Sequence, residues 1–457
     1  MSYFKSISPF SNEAFHLVDM LSKQETEATL EAAHNAFHLW RSTPLEERIA
    51  LLHSCKTKLK ERLPELAELA SKEMGKPIRE SRAEIQKCLS LFDYYASVSG
   101  EALHPEVEQD TNSKTIITKN PTGVLLGIMP WNFPYWQVFR FAIPNLILGN
   151  TLLIKHAPQT MGCSEEIHRI FSELPRGCFN HFPIRENEVE EIIADARVTG
   201  VSLTGSTKAG KAVGRLAGKH IKKSVMELGG NNAYLVMPSA NLPLAVKKCM
   251  QGRFLNAGQS CIAAKRILLH PDIREAFLDL FLEKVDNLVL GDPLDESTQI
   301  GPMSRLELAE HLENQVQKTL EQGAELLVGG DRQGCFFPPT VLGGLTPNMH
   351  LGQEEGFGPV ACLYFPENED QLWEWAMDTK YGLGTAIFTQ SDADVVKASE
   401  TLIDSALFVN EIVKSDARLP FGGIRASGFG RELGRAAFHE FCNIKTTYIA
   451  TTNPALT

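Results

Sequence analysis

The 457-residue sequence lacks the features of membrane and nucleic-acid-binding proteins. Its longest apolar stretch, residues 141–154, is interrupted by Pro144, Gly149 and Asn150, whereas a membrane-spanning helix needs roughly 20 consecutive apolar residues. Lys and Arg number 45 against 56 Asp and Glu, and the resulting net charge of −11 disfavours a polyanionic partner. We therefore expect no membrane insertion and no nucleic-acid binding.

Patterned cysteine is also absent. Nine cysteines are scattered without a CxxC pair or a Cys/His cluster of zinc spacing, so we expect no metal site and thiols that stay free in a reducing compartment. The first 15 residues lack the basic segment and apolar stretch of a signal peptide. These absences together favour a cytoplasmic protein.

What the sequence does contain is an alternation of helices and strands. Residues 25–98 are predicted to be helical, and the first helix places Leu30, Ala33, Phe37 and Trp40 on one face. The strand candidates that follow are 123–130, 150–156, 198–206, 224–230, 266–270, 288–292, 324–330, 361–365, 385–389 and 406–410. Strands that alternate with helices predict parallel sheets in two successive α/β domains, and a chain of this length is expected to form two or three domains in all.

Two segments have the features of an anion-binding sheet edge. Gly205 and Ser206 lie between an apolar strand and a helix, and backbone N–H groups at such a helix start bind pyrophosphate. Lys155 stands near the end of another strand, at the edge where ligands of open α/β sheets bind. A tight strand-to-helix turn and a solvated lysine explain the same patterns, so neither is specific alone.

Three further residues have chemistry that depends on how the chain presents them. Asn132 lies on a turn between Pro130 and Pro134, where its amide either donates to an oxyanion or caps the next helix. Glu227 ends a strand before a Gly pair, which suits a general base toward water. Cys261 follows a Gly-Gln-Ser turn, which suits a presented nucleophile or one more buried cysteine.

Eight short motifs extend the pattern that begins with "ISPFSNE" at residues 7–13, close to the N-terminus, so that it covers nearly the whole chain. They are "PWNFP", "LTGS", "ELGGNN", "GQSC", "FFPPTVL", "EEGFGPV", "YGLGTAIFT" and "LPFGGIRASGFGRELG". In this order and at about this spacing they resemble the NAD(P)-dependent aldehyde dehydrogenase superfamily. The resemblance implies that the protein is an enzyme.

The resemblance also implies a role for each candidate residue. Cys261 matches the nucleophile, Glu227 the general base, and Asn132 the oxyanion-hole side chain, which acts with the backbone N–H of Cys261. The implied cofactor contacts are Lys155 at the adenosine ribose, Gly205, Ser206 and Trp131 at or near the pyrophosphate, Leu228 near the nicotinamide, and Glu355, with Phe357 beside it, at the nicotinamide ribose. The implied reaction passes through a thiohemiacetal and a thioester on Cys261, which water hydrolyses.

One departure from the family pattern concerns the cofactor. Many members read Lys-Pro-Ser-Glu where this chain has Lys155, His156, Ala157 and Pro158. The glutamate that usually accepts from the adenosine 2′-hydroxyl is therefore missing, and a carboxylate there would repel a 2′-phosphate. We expect the enzyme to use either NAD or NADP.

A second departure concerns the substrate. Among family members the chain looks most like bacterial succinate-semialdehyde dehydrogenases, and Arg140 matches an arginine that grips the substrate carboxylate in that group. A second arginine of some members, six residues before the nucleophile, is Leu255 here. We expect carboxylate recognition to rest on Arg140, helped by Arg418, whereas the alternative for Arg140 is an ion pair on a helix surface.

The architecture implied by the resemblance has three parts. Residues 1–101 and 122–227 form a Rossmann-like dinucleotide-binding domain, residues 228–425 an α/β catalytic domain, and residues 102–121 and 435–457 a β oligomerisation arm. The arm fits the β-branched segment 104–121 and the β-rich tail. Both would pair with a sister subunit, giving a homodimer or a homotetramer.

Three alternatives remain open on the sequence alone. The first is an aldehyde dehydrogenase of other specificity, acting on glutarate semialdehyde or on aliphatic aldehydes broadly. The second is a CoA-acylating relative, which retention of Glu227 argues against. The third is a catalytically silent binding protein on the same fold, which the intact chemical positions argue against.

Overall fold

The computed structural model describes residues 2–110 and 113–450, so positions 111–112 and 451–457 of the predicted arm lie outside the described residues. The strands are β1 (Tyr3–Ile7), β2 (Ala14–Asp19), β3 (Glu106–Gln109), β4 (Ser113–Pro121), β5 (Val124–Met129), β6 (Thr151–His156), β7 (Phe179–His181), β8 (Val198–Thr204), β9 (Lys223–Glu227), β10 (Ala233–Val236), β11 (Arg266–Leu269), β12 (Glu325–Val328), β13 (Thr340–Leu345), β14 (Val360–Tyr364), β15 (Thr385–Phe388), β16 (Leu407–Val409), β17 (Gly428–Phe429) and β18 (Cys442–Ala450). The helices are α1 (Lys23–Trp40), α2 (Leu45–Glu61), α3 (Leu63–Met74), α4 (Ile78–Ala102), α5 (Trp136–Leu148), α6 (Met161–Phe171), α7 (Val189–Ala194), α8 (Thr207–Lys219), α9 (Leu242–Phe254), α10 (Arg274–Asp286), α11 (Leu306–Glu321), α12 (His350–Gln353), α13 (Glu369–Met377), α14 (Asp392–Thr401) and α15 (Ala437–Glu440).

Helices dominate the first hundred residues, as predicted. Helix α1 begins at a capping box between Ser22 and Glu25, and the apolar face predicted for it is buried. Pro77 precedes the long helix α4, where its fixed φ suits the helix start.

The first large sheet has the strand order β17-β9-β8-β5-β6-β7, and only β17 runs antiparallel to its neighbour. Alternate residues of β5 face opposite sides: Leu125 packs with α5, whereas Val124 and Leu126 pack with α1, α7 and α8. Helices therefore cover both faces, which explains why the strands read as nearly continuous apolar runs.

The second large sheet has the order β12-β13-β14-β11-β10-β15-β16, in which only β12 is antiparallel. The chain passes from the first sheet to the second over residues 228–232, directly after Glu227. Two parallel sheets with helices agree with the predicted fold class.

The predicted arm segments pair with each other. Strands β18, β4 and β3 form one antiparallel sheet, in which Cys442–Ala450 runs the full length of β4. The domain boundaries and pairing with a sister subunit remain predictions.

One predicted strand is wrong. Residues 288–292 form only an isolated bridge from Leu290 to Ile300, because this short apolar run has no neighbouring strand and is soon followed by a turn at residues 293–294. Strands β7, β10 and β13 were not predicted; each is a short, buried run without alternation.

Candidate active site

Three adjacent parallel strands place the predicted cofactor residues at one edge of the first sheet. Strand β5 lies between β6 and β8, and the chain turns in opposite directions from it. Such a switch point forms a crevice beyond the carboxyl ends of the strands. The residues that end or follow these strands are Trp131 and Asn132 after β5, Lys155 near the end of β6, and Gly205 and Ser206 after β8.

The start of helix α8 has room for an anion. Ser206 is the N-cap, and its Oγ accepts from the backbone N–H of Ala209 at 3.2 Å. A Cβ built at Gly205 would meet nothing closer than 3.8 Å, so the space beyond this turn is open. Free N–H groups at the start of a 13-residue helix suit the phosphates of a dinucleotide.

The segment after β6 is fixed by a neutral histidine. The ring of His156 lies 2.9 Å from the carbonyl of Pro134 and 2.9 Å from Thr160 Oγ1. Burial lowers the pKa of His156 to about 4, and burial also lowers the pKa of the neighbouring Lys155. Pro158 leaves the adjacent position without a carboxylate.

The second sheet contributes residues at the other side of the crevice. Glu355 accepts from Lys265 Nζ at 3.1 Å and from the backbone N–H of Gly230 at 3.2 Å. Lys265 Nζ lies 4.7 Å from the centre of the Phe357 ring, and the Trp131 ring meets Phe357 edge-on at 5.7 Å. The structure thus brings the predicted Trp131, Glu355 and Phe357 together, and it adds Lys265, for which the sequence carries no signal.

Leu228 also lies where the two sheets meet. It is buried, its N–H donates to the carbonyl of Ser427 at 3.1 Å, and its side chain packs against Gly210 of α8. This position connects the predicted anion site to the end of β9.

The loop before Cys261 has an unusual backbone. Asn256, Ala257 and Gly258 have consecutive positive φ values of 56°, 49° and 69°, a conformation that costs free energy in non-glycine residues. Two side chains hold it: the half-buried Glu80 accepts from the Asn256 N–H at 2.7 Å, and the buried Arg253 donates from Nη2 to the Gly258 carbonyl at 2.8 Å. The sequence predicted neither Glu80 nor Arg253, because the partner of Glu80 is remote in sequence and the partner of Arg253 is a backbone carbonyl.

Asn132 is attached to the same loop. Its Nδ2 donates to the carbonyl of Gln259 at 3.0 Å, and its own carbonyl accepts from Asn256 Nδ2 at 2.8 Å. It does not cap helix α5, because the first N–H groups of that helix donate to Glu84 at 2.9 Å. The capping alternative is therefore excluded, and the Asn132 amide lies beside the loop that precedes Cys261.

Cys261 lies on the wall of a cavity of about 390 Å³, together with Trp136, Phe133 and Phe421. Seven of the nine free cysteines are buried, whereas Cys261 and Cys335 are half-buried. Burial raises the pKa of Cys261 to about 12, and nearby Arg140 opposes this shift. A raised pKa favours the protonated thiol, so a role as nucleophile would require loss of this proton.

Glu227 ends β9 behind this wall. It is 2% exposed, and its Oε1 has no hydrogen-bond partner among the described residues. Burial raises the pKa of Glu227 well above its usual value, and Arg140 opposes the shift. A carboxyl group with a raised pKa can accept a proton from water near neutral pH.

The two predicted arginines lie in different surroundings. Arg140 is buried on the cavity wall, where its Nε contacts the Glu432 carboxylate and its Nη2 donates to Thr204 Oγ1 at 3.1 Å. It is thus no helix-surface ion pair. The Arg418 side chain is 73% exposed, does not line the cavity, and donates to both oxygens of Asp416 at 2.9 and 2.8 Å. The structure does not bring Arg418 to the candidate active site.

Comparison with known sequences decides the family. The sequence model of the Aldehyde dehydrogenase family matches residues 1–447. The chain belongs to this family. The order of motifs and the geometry of the nucleophile loop agree with an aldehyde dehydrogenase.

Several characterised aldehyde dehydrogenases are similar over almost their whole length. The chain is 40% identical over 448 residues to the succinate semialdehyde dehydrogenase [NAD(P)+] Sad of Escherichia coli K12, covering 97% of both chains. It is 38% identical over 447 residues to the succinate-semialdehyde dehydrogenase [NADP(+)] of Deinococcus radiodurans, covering 97% of this chain and 94% of that one. The structure of succinic semialdehyde dehydrogenase from Streptococcus pyogenes with NADP+ superimposes with a TM-score of 0.95 at 34% identity, over 98% of this chain and all of the other.

Two kinds of feature are absent from the described part of the chain. No helix there combines the length and apolarity that crossing a bilayer requires. No group of three or more His, Cys, Asp or Glu side chains there is arranged to hold a metal ion.

Proposed function

We propose that this aldehyde dehydrogenase oxidises succinate semialdehyde to succinate with reduction of NAD+ or NADP+. The observation that carries the proposal is the placement of Cys261 on a cavity whose wall also carries basic side chains, Arg140 and Lys87 among them. The names of the similar enzymes from E. coli, D. radiodurans and S. pyogenes support this substrate.

Acylation begins at the cavity wall. The Cys261 thiol gives its proton to solvent water, its sulfur attacks the aldehyde carbon, and the carbonyl oxygen becomes an oxyanion that the Asn132 amide and the Cys261 N–H stabilise. The surrounding hydrogen bonds hold the strained left-handed backbone of residues 256–258 in one conformation. This fixed backbone sets the direction of the Cys261 thiol.

The residues at the crevice suit a dinucleotide, which supplies the hydride acceptor when bound. The α8 N-terminus would hold the pyrophosphate beside Trp131, Lys155 the adenosine ribose, and Glu355 with Phe357 the nicotinamide ribose. Lys265 fixes the Glu355 carboxylate at 3.1 Å, so this acceptor of ribose hydroxyls is held in one orientation.

Deacylation falls to Glu227. The acyl group remains on Cys261 as a thioester, and Glu227 takes a proton from the water that attacks it. The products are succinate and the regenerated thiol. Because Glu227 lies behind the cavity wall rather than on it, its side chain has to turn toward Cys261 for this step.

Replacing Asn132 by alanine is expected to lower kcat about 100-fold, the loss typical of one oxyanion donor. The same change removes a hydrogen bond to the Gln259 carbonyl. Asn180→Ala is the matched control, since this buried amide donates to the Leu152 and Gly177 carbonyls away from the cavity. Equal losses of kcat in the two variants would show that Asn132 acts on stability alone.

Steady-state kinetics with succinate semialdehyde, glutarate semialdehyde and butanal, each with NAD+ and NADP+, test the proposed function. Succinate semialdehyde should have the highest kcat/KM, with a margin of ~10–200-fold per methylene over its homologue. Because proline at position 158 removes the carboxylate that would repel a 2′-phosphate there, both cofactors should work. A preference for butanal contradicts the substrate, and an NADP efficiency below about a hundredth of the NAD value contradicts dual use, since that ratio is about 2.7 kcal/mol.

We also propose a cytoplasmic homodimer or homotetramer. The nine free cysteines suit a reducing compartment. The sheet of β18, β4 and β3 exposes Val107, Ile444 and Tyr448, and its outer strands leave edges that a second copy would cover. Light scattering of the purified enzyme should give twice or four times the chain mass of 50.6 kDa. A monomeric mass would contradict the proposed role of this sheet in oligomerisation.

A further inference from the structure

Four basic side chains line the cavity that holds Cys261, and they differ in what neutralises them. These are Arg79, Lys87, Arg140 and Lys414. Arg140 contacts Glu432, and Lys414 Nζ lies 3.3 Å from a Glu411 oxygen. Within residues 2–110 and 113–450, no carboxylate oxygen lies within 4.0 Å of a side-chain nitrogen of Lys87 or Arg79.

Lys87 differs from Arg79 in its surroundings. Arg79 is exposed and donates to the Thr298 carbonyl at 3.2 Å. Lys87 is half-buried on α4, its Nζ donates to Ser415 Oγ at 2.8 Å, and it lies 3.8 Å from the centre of the Trp136 ring. A half-buried cation whose direct contacts are a hydroxyl and an aromatic face, with the Glu84 and Asp416 carboxylates acting only at longer range, has little of the counter-charge that normally compensates its desolvation.

We propose that Lys87 binds the carboxylate of the substrate and is the residue that selects a semialdehyde acid over an uncharged aldehyde. This inference rests on the proposed function. The carboxylate supplies the missing counter-charge while the aldehyde carbon reaches Cys261 across the same cavity.

Arg140 is less suited to this task. Its guanidinium already contacts Glu432 and Thr204 and lies 4.9 Å from the centre of the Phe421 ring. A second anion there would compete with a buried ion pair, and breaking such a pair is costly. Leu255, also on the wall, carries no charge. Among the described lining residues, Lys87 is thus the half-buried cation that has no carboxylate in direct contact.

Because Lys87 must be protonated to bind an anion, the proposal predicts that affinity for the substrate carboxylate depends on pH. Burial lowers the pKa of Lys87 to about 8. Lys87 is charged below that pKa. Its affinity for the substrate carboxylate is therefore highest at lower pH and is lost as the pH rises through the pKa. The charged and titratable groups around Lys87 and its cavity are Arg79, Glu80, Glu84, Cys88, Arg140, Cys261, Lys414 and Asp416.

Kinetics of Lys87→Met and Lys87→Arg with succinate semialdehyde and with butanal test the proposal. Lys87→Met should raise KM for succinate semialdehyde about 10- to 100-fold, the effect of losing one hydrogen bond to a charged group, while butanal kinetics stay nearly unchanged. Lys87→Arg should restore much of the affinity and remove the rise in KM above pH 8. The control is Arg82→Met, because Arg82 lies on the same helix, pairs with Glu296 and does not line the cavity.

The possible results distinguish failure of the Lys87 proposal from failure of the proposed function. Unmodified enzyme that prefers butanal overturns both. Unmodified enzyme that prefers succinate semialdehyde, with Lys87→Met changing both substrates equally or neither, overturns the role of Lys87 alone. If Lys87→Met does not fold, the unmodified enzyme decides: a KM for succinate semialdehyde that is flat from pH 7 to 9.5 contradicts the proposal, and a rise absent with butanal supports it.

Discussion

Cys261→Ala is expected to abolish aldehyde-dependent NAD(P)H formation, with a loss of at least about 10⁴-fold, the scale reached when a nucleophile is removed. No other group on the cavity wall can form the thioester, because Cys261 is the only cysteine among its lining residues in the described chain. Cofactor binding should be retained, since the crevice residues come from other segments. The measurement is NAD(P)H absorbance with succinate semialdehyde.

Cys335→Ala is the matched control for this loss. Cys335 is the other half-buried cysteine and does not line the cavity. It should leave the rate unchanged. A Cys261→Ala enzyme that retains more than about a hundredth of the activity would contradict covalent catalysis, because removal of a covalent nucleophile can cost on the order of 10⁶-fold.

Glu227→Gln is expected to lower steady-state turnover about 1000-fold, within the range for loss of a general base. Acylation does not require this base toward water, so rapid mixing should still show a burst of about one equivalent of NAD(P)H per subunit. The burst followed by a very slow phase places Glu227 in thioester hydrolysis. Loss of the burst along with turnover would instead place it at or before hydride transfer.

The pH dependence of turnover checks the same assignment. Burial raises the pKa of Glu227 well above its usual value, and the base works only when deprotonated. Hydrolysis should therefore fall as the pH drops through this raised pKa, and Glu227→Gln should lack that limb.

Glu73→Gln controls for removal of a buried carboxylate. Glu73 accepts from the backbone N–H groups of Gly162 and Cys163 at 2.8 and 3.0 Å, away from the cavity. It should lower stability without changing the ratio of burst to steady state.

The sequence predicted those site residues that belong to local patterns. A lysine at a strand end, a serine at a helix start and an asparagine between two prolines are each defined by a few neighbouring residues, and parallel strands bring such ends to one edge. The family resemblance then connected Cys261 to Glu227 and Asn132. The structure adds that Asn132 is hydrogen-bonded to the nucleophile loop rather than to a helix start.

Buried charges were the part that the sequence could not supply. Glu80, Arg253 and Lys265 hold the nucleophile loop and Glu355 through partners up to 176 residues away or through backbone carbonyls. Nothing in the local sequence distinguishes them from surface residues. The same limit explains why Arg418 was predicted at the site and Lys87 was not. Only the packed cavity shows which cations line it and which of them already have a counter-ion.

Mass spectrometry of the Glu227→Gln enzyme, quenched in acid after one turnover with succinate semialdehyde and NAD+, tests the covalent mechanism and the substrate together. The proposed mechanism predicts a succinyl group on the peptide that contains Cys261 and on no other cysteine. An unmodified Cys261 after a full NADH burst, or an acyl group on another of the nine cysteines, would contradict it.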